Sequence, residues 1–322
     1  MRRKLLPVFA FAIAATLLGA GAAAAANGGF APQHPASPNA QGIKTAYWWI
    51  FGFTAAIFVL VETLLVVFVV KYRSRGRSRG VEGAQVHGHT RLELIWTAGP
   101  VIILAIIATV VFIELPGIRN APAATNALHV KVEGHQYYWQ FDYPNGARSI
   151  NTLYVPQGTV VDLDVTSADV VHSWWIPQLG GKIQAIPGRV NTTWFQAAHT
   201  GTFSGQCAEL CGLYHAWMKA KVVAQTDQQF EVWLKTAAHT ELGQAEFEGV
   251  CATCHGMQGQ GGYGPKISDN PLLTQPSGLE SLVEHGRGKM PAVADTWTPA
   301  QIKALENYVS KHVYTGAATS GG

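Results

Sequence analysis

The stretch GQCAELCGLYHAWM, residues 205–218, sets Cys207, Cys211, His215 and Met218 within one short segment. A spacing of four positions between the cysteines would place them on one face of a helix, but Gly205, Gly212 and the β-branched stretches on either side predict a loop joining two strands. Two thiolates, an imidazole and a thioether form a soft donor set that suits copper far better than magnesium or calcium. A second imidazole stands upstream at His172, in DVVHSWWIP, where a strand end can bring it alongside. Three other readings of the same residues compete. A disulfide between Cys207 and Cys211 is the blandest, a zinc site would leave Met218 without a role, and a single blue-copper ion needs one cysteine rather than two.

Outward from that loop, stretches such as ALHVKVEGHQYYWQFDY, NTLYVPQGTVVDLDVTS, GRVNTTWFQ and KAKVVAQ read as strands, rich in β-branched and aromatic residues and punctuated by Pro, Gly and Asn. They predict a compact antiparallel sandwich over residues 117–226. A helical linker, residues 227–240, then leads to a smaller unit over residues 241–316, followed by a flexible tail, residues 317–322.

The other end of the chain is apolar. Of 322 residues, 48% are hydrophobic and 13% charged, which points to a membrane component. Residues 1–26 carry Arg2, Arg3 and Lys4, a short apolar run and a stretch of alanines, the pattern of a cleaved signal peptide. Its removal takes away three basic residues and no acidic one, leaving twenty of each, so nucleic-acid binding is not indicated. Within residues 27–116, apolar runs at 47–70 and 92–115 predict two membrane spans, the second ending at Pro116 and Gly117. Between them Lys71, Arg73, Arg75, Arg77, Arg79 and Arg91 face Glu82 alone, which places this connection in the cytoplasm and everything beyond Pro116 on the exported side. Glu62 lies inside the first span, where a carboxylate must face protein rather than lipid.

The small unit opens on CATCH: Cys251, Cys254 and His255 make the C-x-x-C-H attachment signature of a c-type heme, with His255 as proximal ligand. For the opposite face of the iron, Met1 leaves with the signal, Met218 lies in the opening stretch and Met257 is too close to His255. Met290, in HGRGKMPAV, is the favoured ligand and His285 its competitor. A small all-α class I cytochrome c domain is expected.

Together these residues resemble cytochrome c oxidase subunit II, in the subclass with a fused cytochrome c (caa-type). The family's loop pattern C-x-E-x-C-x-x-x-H-x-x-M is matched by Cys207, Glu209, Cys211, His215 and Met218. The resemblance implies a dinuclear copper centre, CuA, in a cupredoxin-like sandwich, its two thiolates bridging both metals. His172 and Met218 would serve one copper, and His215 with the Glu209 backbone carbonyl the other. LELIWTAGP resembles the family's entrance to the second span, making Glu93 a proton-entry candidate. GHQYYWQFDY resembles the electron-entry aromatic patch, with Tyr137, Tyr138 and Trp139 as candidates and Tyr137 standing where relatives that use a separate cytochrome carry tryptophan. Asp169 and Glu209 resemble carboxylates near a magnesium shared with subunit I.

The function so implied is that of an oxidoreductase subunit in a bacterial cytoplasmic membrane, its copper and heme domains on the periplasmic side. It would pass electrons from an external donor, a cytochrome c or a quinol:cytochrome c reductase, through heme c and CuA to heme in subunit I, which reduces oxygen and pumps protons. Subunit III is a further expected partner, and no residue of this chain performs the oxygen chemistry. Alternatives are a CuA-containing nitric oxide reductase subunit and a membrane-anchored electron carrier without an enzyme partner.

Overall fold

A computed structural model describes residues 31–72, 80, 85, 87–237 and 242–316. The expected signal peptide, most of the arginine-rich connection, the end of the linker and the terminal tail lie outside the described residues. The chain divides into two units, residues 41–118 with the first 32, and residues 33–40 with 119–322.

The first unit contains helices α1 (Pro38–Tyr72) and α2 (Thr90–Arg119), both long and apolar enough to cross a membrane. At ~1.5 Å per residue, the 35 residues of α1 extend about 50 Å, more than a hydrocarbon core of about 30 Å requires. Their apolar side chains are exposed, Phe112 by 74% and Val69 by 68%, as lipid-facing surfaces must be. Both helices overrun the expected spans. Most notably, α2 does not stop at Pro116; it contains Pro100 and Pro116 and continues to Arg119. Proline removes one backbone bond, and the helix continues past it for a further three residues. A Cβ on Gly42 of α1 would lie 3.0 Å from Ile118, so the two helices touch there.

The second unit begins with residues 33–40, which are no mere polar connector. Ala36 donates to Gln178 O (2.8 Å), Ala198 donates to Ala36 O (2.9 Å), and the Asn39 amide donates to Trp194 O (2.5 Å). These bonds tie the segment to a sandwich of ten strands: β1 (Leu128–His135), β2 (Tyr138–Asp142), β3 (Arg148–Ile150), β4 (Thr152–Pro156), β5 (Val160–Ser167), β6 (His172–Trp174), β7 (Ile183–Ala185), β8 (Asn191–Gln196), β9 (Gly201–Gln206) and β10 (Lys219–Gln225). One sheet runs β3-β2-β1-β5-β8, a second β4-β10-β9, and β6 pairs with β7. In β5, Val161, Leu163 and Val165 point into the core while Asp162 and Asp164 face outward, the period-two pattern of a strand buried on one face. The expected purely antiparallel arrangement is corrected: β1 pairs with β5, and β4 with β10, in parallel. The chain switches sheets between β3, β4 and β5, so the partners in these two pairs are not consecutive in sequence and run in the same direction.

The expected linker is in part a packed element. In α3 (Asp227–Ala237), Phe230, Trp233 and Leu234 recur at helical spacing and cover the end of the sandwich. Trp233 stacks on Tyr154 at 4.5 Å between ring centres and meets Tyr143 at 4.9 Å.

The cytochrome part is built from α4 (Leu242–Glu246), a π-helical turn (Phe247–Cys251), α5 (Ala252–His255), α6 (Pro276–His285) and α7 (Pro299–Tyr308). Thr298 and Gln301 form a capping box that starts α7. α4 crosses α7 so closely that a Cβ on Gly243 would stand 1.9 Å from Ala304 O. Around this crossing Phe247, Leu279, Val283 and Leu305 form a separate core, into which Tyr138 of β2 inserts. Trp297 Nε1 donates to Tyr138 Oη (2.5 Å), and the Asn151 amide donates to Gly249 O (2.7 Å). His135 Nδ1 lies 3.0 Å from Thr296 Oγ1. Gly249 itself sits on Ile150, leaving no space for a Cβ. The helical domain is therefore seated on the sandwich through buried side chains.

Candidate metal centre and heme cavity

His172 opens β6, and the β9–β10 loop carries Cys207 to Met218. Cys207 N donates to Met218 O (2.9 Å) and Ala208 N to Ser173 O (2.9 Å), bracing the two ends of the loop against each other and against β6. Gly205 is required by a close approach, because a Cβ there would fall 2.0 Å from Trp175 O. The donor atoms converge. Cys207 Sγ lies 4.0 Å from Cys211 Sγ, 3.9 Å from His172 Nδ1 and 3.2 Å from Glu209 O. Cys211 Sγ lies 3.5 Å from His215 Nδ1 and 3.9 Å from Met218 Sδ. Two sulfurs sharing one ion can stand at most about 4.6 Å apart, twice a metal–sulfur bond of about 2.3 Å, so this pair can bridge. They are far beyond the ~2.05 Å of a disulfide, and both thiols are free. His172, Cys207 and Cys211 are also the group among the described residues whose ligand atoms cluster as a metal site does.

His172 is fully buried, and its Nε2 lies 2.7 Å from Asp169 Oδ1. An N–H donated to that carboxylate fixes the tautomer and leaves Nδ1 free toward the sulfurs. Burial opposes protonation of His172, but Asp169 and then Cys207 outweigh it and leave its pKa raised. Burial likewise opposes ionisation of Asp169; its bonds from His172, Val170 N and Gln136 N prevail and hold its pKa below the usual carboxylate range. The hydrogen bond between the cysteines favours one thiolate. It lowers the pKa of Cys207 and raises that of Cys211. Both oxygens of Asp169, one of the two carboxylates that the resemblance associates with magnesium, are engaged inside the chain, and the Glu209 carboxylate reaches Gln184 Nε2 at 3.4 Å.

Thr253, Cys254 and His255 of the CATCH motif line a cavity of about 510 Å³, within the range of cofactor pockets, and Cys251 lies behind its wall, next to the lining residue Val250. His255 Nδ1 lies 2.7 Å from Pro265 O, so the ring donates there and presents Nε2 elsewhere. Met290 lines the same cavity. It sits in a tight turn closed by reciprocal bonds with Arg287, helped by left-handed Gly286 and Gly288. His285 is absent from that lining; it ends α6, exposed, with Nδ1 against Ser281 O. Burial raises Cys251 to about 12 and raises Cys254 as well, keeping both as thiols before attachment. A covalent heme with His255 and Met290 ligands fits these residues.

The opposite wall of the cavity comes from the copper-type domain. Tyr137, Tyr138, Tyr214 and Trp217 line it together with Lys219 and Lys221. Thus the aromatic stretch expected as an entry patch faces inward: Tyr138 and Trp139 are buried, and Trp139 packs edge-on against His172 at 5.9 Å. Sequence reasoning missed two contacts and the lysines of the cavity wall. Tyr214, beside His215, donates through its hydroxyl to Lys289 O, beside Met290. Gln136 donates through its amide to Cys211 O. The lysines of β10 have no local signature beyond their alternation. Glu93 lies in the first turn of α2, exposed, and accepts from His89 N (3.1 Å).

A soft two-thiolate donor set and a c-type heme motif on one chain with two membrane-length helices define a membrane-bound electron-transfer protein. Three family models match: the transmembrane domain of cytochrome c oxidase subunit II over residues 25–113, its periplasmic domain over 148–226, and cytochrome c oxidase, cbb3-type, subunit III over 238–309. The cytochrome c oxidase subunit 2 of Alkalihalophilus pseudofirmus is 34% identical over 242 residues, covering 70% of each chain. That of Cereibacter sphaeroides is 32% identical, covering 62% of this chain and 78% of its own. The periplasmic domain of subunit II of cytochrome oxidase from Bradyrhizobium japonicum is 39% identical over 37% of this chain and 98% of its own, with a TM-score of 0.36. The chain belongs to the cytochrome c oxidase subunit II family and carries a cytochrome c domain after its copper domain. It is a membrane-associated part of a heme-copper oxidase, an oxidoreductase.

Proposed function

We propose that this chain carries electrons from an external donor to the oxygen-reducing subunit I of its oxidase, with heme c as the entry and dinuclear CuA as the exit. The observation that carries this reading is the shared wall: residues flanking His215 and Met218 line the cavity of Cys254, His255 and Met290. When bound, the heme and the copper pair each accept and release single electrons. The chain supplies what that requires. Cys207, Cys211, His172 and Met218 are at most 4% exposed, so water is excluded and the donor atoms are held by packing rather than by solvent. His215, with Glu209 O, stands at the rim. Beside it Leu210 and Leu213 are 80% and 85% exposed, an apolar surface suited to docking on subunit I. Positive-inside topology puts the copper and heme domains on the periplasmic side and Glu93 near the cytoplasmic surface, where it would admit protons to the complex. Subunit III and a cytochrome c or quinol:cytochrome c reductase complete the expected partners.

The test is purification of the complex in mild detergent with metal, heme and oxygen-uptake analysis. A large heme-copper polypeptide should copurify, and Cys207→Ser should remove copper and abolish turnover while covalent heme is retained. Recovery of the chain as a lone subunit, from membranes that respire normally without it, would overturn the proposal.

A further inference from the structure

The heme cavity has an uneven distribution of charge. Among its lining residues the charged side chains are Lys219, Lys221 and Lys289, with no aspartate or glutamate. Two of the three come from β10, the strand that leaves the copper loop. Alternation places Ala220 and Val222 in the sandwich core and Lys219 and Lys221 together on the opposite, exposed face. Among the described residues neither has a carboxylate partner; Lys219 Nζ reaches only Gln206 Oε1 at 3.3 Å. The register of β10 fixes this pair, since Lys221 stands opposite Thr152 of β4 and Ser204 of β9. Lys221 N also donates to Asn151 O (3.0 Å), and Asn151 in turn donates to Gly249 O, two residues before Cys251. The cations are thus positioned by the same contacts that seat the heme domain on the sandwich.

An unmatched basic wall calls for an anionic group, and a heme of the c type brings two propionate carboxylates into this cavity. We propose that Lys219 and Lys221 of the copper domain bind the heme propionates, making the cofactor a tie between domains: covalent on the cytochrome side, ionic on the copper side. This rests on the functional reading above, in which the cavity holds heme c. A cation at a propionate favours the reduced heme, which carries one more negative charge, so the lysines also set the heme's potential relative to that of its copper acceptor.

The experiment uses the full-length chain in its purified complex and compares Lys221→Gln, the Lys219→Gln/Lys221→Gln pair, Lys221→Arg, and Lys303→Gln as a control on α7, away from the cavity. Covalent heme and copper are quantified first. Heme c midpoint potentials and redox-difference infrared spectra with 13C-labelled propionates are then recorded. With heme fully attached, Lys221→Gln should lower the potential and shift the labelled carboxylate bands, and the double variant should do so further. Lys221→Arg should restore both, and Lys303→Gln should change neither. Unshifted bands in the double variant would overturn the proposal, even with a lowered potential, because a distant charge would account for that alone. Absence of covalent heme from the unsubstituted chain would overturn the functional reading, and this inference with it.

Discussion

Asp169 shows how one side chain outside the donor set controls it. Its Oδ1 holds His172 Nε2 at 2.7 Å and its Oδ2 accepts from Gln136 N at 2.6 Å, so the imidazole is oriented by a carboxylate that is itself held by the backbone. Gln136 reaches from there to Cys211 O, linking the carboxylate to the second cysteine. Outer partners of metal-bound histidines typically contribute ~10–100-fold to metal affinity. Asp169→Asn keeps the shape but removes the charge. It should weaken copper retention by roughly that factor without unfolding the sandwich, as read by copper content under chelator competition alongside circular dichroism. Copper retention equal to that of the unsubstituted chain would show that the loop alone orients His172.

At the scale of elements, the crossing of α4 and α7 buries a carboxyl group. Glu246 is completely enclosed, with Gln301 Nε2 donating to its Oε1 at 2.7 Å and no partner for Oε2 among the described residues. Burial pushes its pKa from 4.5 to about 7, against the smaller opposing effects of Gln301 and then Arg148. The folded state therefore holds a proton that the unfolded chain releases above about 4.5. This group's contribution to stability is complete below that pH and is lost as pH rises through about 7, a decline of roughly 3 kcal/mol in all. Glu246→Gln should flatten the fall in thermal stability of the heme-loaded chain between pH 5 and 8. An unchanged slope would mean that the carboxyl is reached by water. The same crossing explains Gly243, where any side chain would strike the backbone of α7.

Across the whole molecule, charge is divided between the domains. Residues 116–226 carry seven basic and six acidic residues, whereas residues 241–316 carry five basic and eight acidic. A basic electron donor is accordingly expected to dock on the heme domain, whose cavity adjoins the copper loop, and not on the sandwich. Glu280 and Glu284 lie on α6. Neutralising both to glutamine should slow oxidation of a soluble basic cytochrome several-fold at low ionic strength and leave the rate at high salt unchanged. Neutralising the outward-facing Asp162 and Asp164 of β5 should have no such effect. Equal salt dependence in both variants would place reception elsewhere.

Local spacing in the chain carried the apolar spans, the C-x-x-C-H signature and the loop with every proposed copper donor except His172. Each depends on residues within a few turns or a dozen positions of one another, where covalent connectivity alone restricts geometry. The parallel strand pairs, the docking of residues 33–40 and the packing of α3 were not legible, because they arise from complementary surfaces far apart in sequence. The same holds at the sites. Spacing could name Met290 and His285 as rivals, but the shape of the cavity brings in Met290 and leaves His285 outside. The sequence by itself determined which redox groups the chain is equipped to hold. Only the tertiary structure decided that the heme cavity is walled by the copper domain, because Tyr138, Asn151, Lys219 and Lys221 reach it through interdomain packing that leaves no periodic trace along the chain.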